Sequence, residues 1–233
     1  MEDTYLLSKI TEVKGYLPRE KHLANRIAIE LIIKNFWVEP QWRDPFRILI
    51  SCIVSQRTRS EITRYVVKEL FTKYRDISDL AKADPRDLER ILRPAGLFRE
   101  KAIRIIEASK YILEKFSGEV PDSLEELLKI PGIGRKCANI VLAYAFNKPA
   151  IAVDANVLRI SKRIGIVDEN AKPLDVEKTL AKIVPKNYWR KINISMVRFG
   201  REICKPKNPR CDTCFISNYC NYYKRIKSSH NNS

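Results

Sequence analysis

The chain has 233 residues, 45% of them hydrophobic, with 44 Lys and Arg against 28 Asp and Glu, for a formal net charge of +16. That length and apolar share exclude a disordered chain and leave room for one large domain or two small ones. The cationic excess calls for a polyanionic partner, nucleic acid or an acidic membrane surface.

No apolar run approaches the ~20 residues that span a bilayer. The N-terminal text lacks a basic head followed by an apolar core, so no secretory signal is expected. An intracellular, nucleic-acid-binding chain is the reading that remains, with no membrane partner. Gly is rare and apolar-polar alternation scarce, so strands do not dominate. The two histidines, His22 and His230, exclude a His-based metal site and a Ser-His or Cys-His nucleophile pair.

In chain order, Lys9 to Val38 reads as one or two amphipathic helices, with Leu23, Ile27, Leu31 and Ile32 among charges. Pro40 and Pro45 frame a break. A strongly apolar helix starts at Phe46 and stops at the polar cluster Ser55-Gln56-Arg57-Thr58-Arg59. Gln56 taken alone is a surface residue at a helix end, and Arg57 suits a phosphate. Helices follow at about Glu61–Tyr74, Ile77–Ala81 and Pro85–Leu92. Pro94 and Gly96 break the pattern before a basic helix from Arg99 to Phe116 that contains Lys101, Arg104 and Lys110. Leu97, read alone, is a core residue.

Ser123 and Glu126 have capping-box spacing and lead into LLKIPGIGRK, Leu127–Lys136. Gly132 and Gly134 permit positive φ and leave backbone N–H groups uncovered. The helix that follows aims its own free N–H groups and the positive end of its dipole the same way, which suits a phosphate oxygen. Lys136 lies at the start of that helix, which runs to about Phe146 before Lys148-Pro149. Asp154 follows within AVDANV, where another helix should begin, and on its own reads equally as a cap. Two further helical segments, broken near Pro185, run from Ala171 to Val197. Four of six cysteines then crowd together as Cys204-x6-Cys211-x2-Cys214-x5-Cys220. In an intracellular chain this implies a metal centre rather than disulfides. Iron–sulfur and structural zinc both remain open on spacing alone. Cys52 and Cys137 lie apart and read as inert core residues.

IPGIGRK followed by AVDANV resembles the helix-hairpin-helix DNA glycosylases, and within them the endonuclease III family. The similarity extends from about Asp44 to Tyr222. It implies an all-α fold, with a six-helix barrel domain over 39–148 packed on a discontinuous helical iron–sulfur domain of 1–38 and 149–223, and a disordered tail over 224–233. It also implies a [4Fe–4S] cluster on Cys204, Cys211, Cys214 and Cys220, and a monomer acting on double-stranded DNA that carries damaged bases or abasic sites. Gln56 would fill the hole left by a flipped nucleotide and Leu97 would wedge between base pairs. Gly132, Gly134, Arg57 and the loop cations Lys205, Lys207 and Arg210 would hold phosphates. Lys136 would be the nucleophile of a DNA glycosylase with AP lyase activity, and Asp154 would stabilise positive charge on the sugar. The family has Thr-His after the aspartate where this chain has Ala155-Asn156, as in thymine–guanine mismatch glycosylases. Those have tyrosine at the lysine position. Oxidised pyrimidines are therefore the expected substrate, mismatched thymine or uracil the alternative, and a non-catalytic DNA-binding module the reading from another class.

Overall fold

The structure, a computed structural model, describes residues 18–230. Among them it has twelve α-helices, two 3₁₀ turns and no strand. The helices are α1 (Pro18–Phe36), α2 (Pro45–Val54), α3 (Ser60–Lys73), α4 (Ile77–Ala81), α5 (Pro85–Leu92), α6 (Phe98–Phe116), α7 (Leu124–Leu127), α8 (Arg135–Tyr144), α9 (Ala155–Ile164), α10 (Pro173–Ile183), α11 (Lys186–Glu202) and α12 (Asn221–His230). None of them is long and apolar enough to cross a membrane. The predicted helical stretch from Lys9 lies, up to residue 17, outside the described residues.

Two compact units result, one of residues 40–152 and one of 1–39 with 153–233. Their seams fall at 39/40 and 152/153, where the family resemblance implied 38/39 and 148/149.

The contiguous unit is built on α2. Asp44 caps it by accepting a hydrogen bond from Arg47 N at 2.6 Å, and Pro45 occupies the first turn without wasting a donor. Ile48, Leu49, Ile50, Cys52, Ile53 and Val54 are all buried, each aliphatic side chain contributing about 1.5–3 kcal/mol. Helices α3, α6 and α8 pack against it. Ser123 caps α7 by accepting from Glu126 N at 3.2 Å, and its hydroxyl donates to Glu126 Oε2 at 2.7 Å. Helix α8 ends at Tyr144, two residues short of the predicted end.

In the other unit α1 packs along α11, burying Ala28, Ile29 and Ile32 on one side and Ile192, Met196 and Phe199 on the other. The Phe36, Phe199 and Phe215 rings close this core, with centroids 5.5 to 6.1 Å apart. Phe215 comes from the cysteine-rich segment, so the triad fastens that segment to the helices.

The disordered tail expected over 224–233 is corrected as far as residue 230, because α12 runs through His230; residues 231–233 lie outside the described residues. Tyr222 and Ile226, one turn apart, are half-buried among otherwise polar text, enough to seat the helix against α9. Arg225 Nη2 reaches Glu169 Oε1 at 2.7 Å, and the Ser228 and Ser229 hydroxyls donate back to the Lys224 and Arg225 carbonyls.

Candidate nucleic-acid site and metal centre

Gly132 has φ 78°, and a Cβ there would come within 3.2 Å of the Arg104 side chain. Only glycine meets both demands. Gly134 is different. It caps α8 at φ −94°, so the expectation of positive φ at both glycines holds for Gly132 alone. A Cβ on Gly134 would meet nothing within 4 Å. Lys136 is the second residue of α8 and is half-buried.

Gln56 is joined to that hairpin rather than loose on the surface. Arg104 Nη1 donates to Gln56 Oε1 at 2.6 Å, and Gln56 Nε2 donates to the Gly132 carbonyl at 3.4 Å. Arg57 beside it is exposed and left-handed at φ 53°. Leu97 is also left-handed, at φ 48°, and 43% exposed, which rules out the core role it has when read alone. A leucine held so costs about 1–2 kcal/mol.

Lys101, one of the cations of the basic helix α6, is 1% exposed. Its Nζ donates to Thr58 Oγ1 at 2.6 Å and to the Ala95 carbonyl at 2.8 Å, and burial lowers its pKa from the ordinary lysine range.

Asp154 caps α9. Its Oδ1 accepts from Asn156 N and Val157 N, both at 2.9 Å, and its Oδ2 accepts from Asn156 Nδ2 at 3.1 Å. The modest alternative is thus realised, and the same bonds fix the direction of the carboxylate. Asn156 Oδ1 in turn accepts from Arg159 Nη2 at 2.9 Å. Lys136 belongs to the 40–152 unit and Asp154 to the other.

Cys204, Cys211, Cys214 and Cys220 line one cavity together with Ile160, Ile164, Phe199 and Ile216. Burial pushes the Cys211 and Cys220 thiols up and Cys214 up to about 11, and the neighbouring sulfurs add to the effect. Such thiols keep their protons until iron replaces them. Among the described residues no three His, Cys, Asp or Glu side chains converge as ligands of one ion would. Four thiols spread around an apolar cavity fit a cube that takes one thiolate per iron.

Two arginines of α9 hold the segment that starts at the first cysteine. Arg159 Nε and Nη2 donate to the Cys204 carbonyl at 3.2 and 3.0 Å. Arg163 Nη1 donates to the Lys205 carbonyl at 2.7 Å and to Cys204 Sγ at 3.3 Å, and its Nη2 to the Pro206 carbonyl at 3.0 Å. Sequence reasoning missed both, though two cations four residues apart after Asp154 were a visible signal. The loop leaves Lys207 and Arg210 exposed and Lys205 half-buried. Cys52 and Cys137, expected to lie apart, meet between α2 and α8. The Cys52 thiol donates to Cys137, which, with the charge of Lys136 and the Gly134 amide, brings Cys137 down to about 7 against the effect of burial.

Residues 50–186 match the family described as HhH-GPD superfamily base excision DNA repair protein. Residues 204–220, bounded by the first and last of the four cysteines, match the iron-sulfur binding domain of endonuclease III. The endonuclease III of Thermotoga maritima is 52% identical over 194 residues, covering 83% of this chain and 91% of that one. That of Bacillus subtilis is 40% identical over 177 residues, covering 76% and 81%. A solved endonuclease III–DNA complex, a trapped covalent intermediate, superposes with a TM-score of 0.84 at 37% identity, covering 88% of this chain and 98% of that one. A thermostable thymine-DNA glycosylase superposes with a TM-score of 0.78 at 27% identity, covering 89% and 98%.

Proposed function

Because this chain belongs to the HhH-GPD superfamily of base excision DNA repair proteins, we propose that Lys136 and Asp154 carry its chemistry and that oxidised pyrimidines are its substrates. It is a DNA glycosylase with AP lyase activity, and it carries a [4Fe–4S] cluster. It acts as a monomer on duplex DNA.

The target nucleotide must leave the stack before its C1′ can be reached. Gln56 fills the vacated space and Leu97 wedges the neighbouring pairs. Lys136 Nζ bonds to C1′ as the bond to the base breaks, and the base departs with a proton. The sugar ring opens to a Schiff base. Loss of a C2′ proton then expels the 3′ phosphate. Asp154 answers the positive charge that builds on the sugar and assists the proton transfers. The hairpin amides, Arg57, Lys205, Lys207 and Arg210 hold phosphates. The cluster's role on this reading is to pin both ends of the loop that carries the last three.

The observation that carries the reading is the placement of Lys136 on the first turn of α8, directly after the hairpin of Gly132 and Gly134. Ala155-Asn156 and the likeness to a thymine-DNA glycosylase favour a second substrate class, thymine or uracil opposite guanine. Borohydride trapping on duplexes with one defined lesion each tests both. An adduct should form with oxidised pyrimidines and vanish in Lys136→Gln. An adduct that survives in that variant overturns the nucleophile, and one seen only with mismatched duplexes overturns the substrate.

A further inference from the structure

We propose that Lys101 is a positioning residue for nucleotide flipping, tying together the two loops that carry Gln56 and Leu97. The inference rests on the reading of those two residues as the ones that enter the duplex.

Lys101 is among the largest fully buried side chains, and among the described residues no carboxylate bonds to its ammonium. Its ammonium donates to the Thr58 hydroxyl and the Ala95 carbonyl at 2.6 and 2.8 Å. The Thr58 oxygen lies 2.6 Å from the Ala95 carbonyl and 3.1 Å from that of Gln56, so its one proton serves either. A desolvated charge that gains only a hydroxyl and a carbonyl is a costly way to fill a core, and an apolar side chain would fill it at lower cost. What the charge gains is the junction. Thr58 directly follows the left-handed Arg57, at φ 53°, and Ala95 directly precedes Gly96 and Leu97, left-handed at φ 65° and 48°. The ammonium therefore grips both loops at the edge of their left-handed residues.

Arg104, nearly one turn further along α6, holds the Gln56 side chain and packs over Gly132. One helix thus fixes the Gln56 loop at two side chains, Thr58 and Gln56. Loops held this way need no ordering when they meet DNA, so the gain appears where a base must be extruded from a paired stack.

Lys101→Met keeps the length and removes the charge, and Thr58→Val removes the hydroxyl at nearly constant volume. Base release would be timed for one lesion in a full duplex and the same lesion inside an unpaired bubble. Both variants should lose about tenfold or more on the paired lesion and less than about threefold on the unpaired one, the saving being the extrusion step. The double variant should be no worse than Lys101→Met, because the two act through one junction. Should Lys101→Met fail to fold, Thr58→Val alone decides. Equal losses on paired and unpaired lesions, or no loss, overturn the proposal. The wild-type chain on the same duplexes reports on the substrate separately. If it spares oxidised pyrimidines, the paired-to-unpaired ratio is read with uracil opposite guanine, where the same outcomes decide.

Discussion

Asparagine caps a helix as well as aspartate does, so at Asp154 the cap and the charge can be removed one at a time. Asp154→Asn keeps an oxygen for the Asn156 and Val157 amides and loses the charge together with the second oxygen that accepts from Asn156 Nδ2. Its unfolding free energy should move by less than about 0.5 kcal/mol. Base release should slow by two or more decades, about the 3 kcal/mol typical of one preorganised electrostatic group. Cleavage at a preformed abasic site, where no base remains to leave, should suffer less. Release at the wild-type rate in this variant would reduce Asp154 to a cap. The cap was legible from the position of the acid before a predicted helix. The anchoring of Arg159 to the Gly200 and Cys204 carbonyls was not, because it requires α9 and α11 to be packed. The burial of Lys101 was legible but went unread: positions 101, 105, 108 and 112 form one buried stripe with Ile105, Ala108 and Ile112, so helical periodicity by itself puts the lysine on the core side.

Single side chains act through the elements that carry them, and the segment from Cys204 to Cys211 shows how. Its prolines stiffen it, its end cysteines are anchored at the cavity, and Arg159 and Arg163 occupy the carbonyls of Cys204, Lys205 and Pro206. With the backbone bound inward, the Lys207 and Arg210 side chains are left exposed. Neutralising Lys205, Lys207 and Arg210 should weaken binding to damaged and undamaged duplex alike. The slope of log affinity against log salt should fall by roughly 0.9 for each phosphate that is no longer neutralised. A slope that stays put would show that the loop faces away from DNA. Elements with strong local signals, such as α2 with its apolar run, Asp44 cap and Pro45, were read from sequence almost to the residue. Helix α12 was not, since Tyr222 and Ile226 are too few to announce a helix until Glu169 and α9 give them a surface to lie on.

At the scale of the whole molecule the two units are connected differently. Residues 40–152 form one unbroken stretch whose core, around α2, closes on itself. The other unit must bring α1 against α11 across that entire stretch, so its closure costs more chain entropy. It also carries the four thiols that line one cavity, where binding of iron would add its free energy to that of folding. The units should therefore fail in order. The intact chain should carry about four irons and no zinc. Residues 40–152 expressed alone should give a helical spectrum and a cooperative melt. Iron-depleted whole chain should melt in two steps, the upper one coinciding with that of the fragment, because only the discontinuous unit has lost a ligand that binds its native state. One zinc per chain would contradict the metal assignment. An unfolded fragment, or a single early transition that takes all the helix with it, would show that 40–152 borrows its stability from the iron-bound unit.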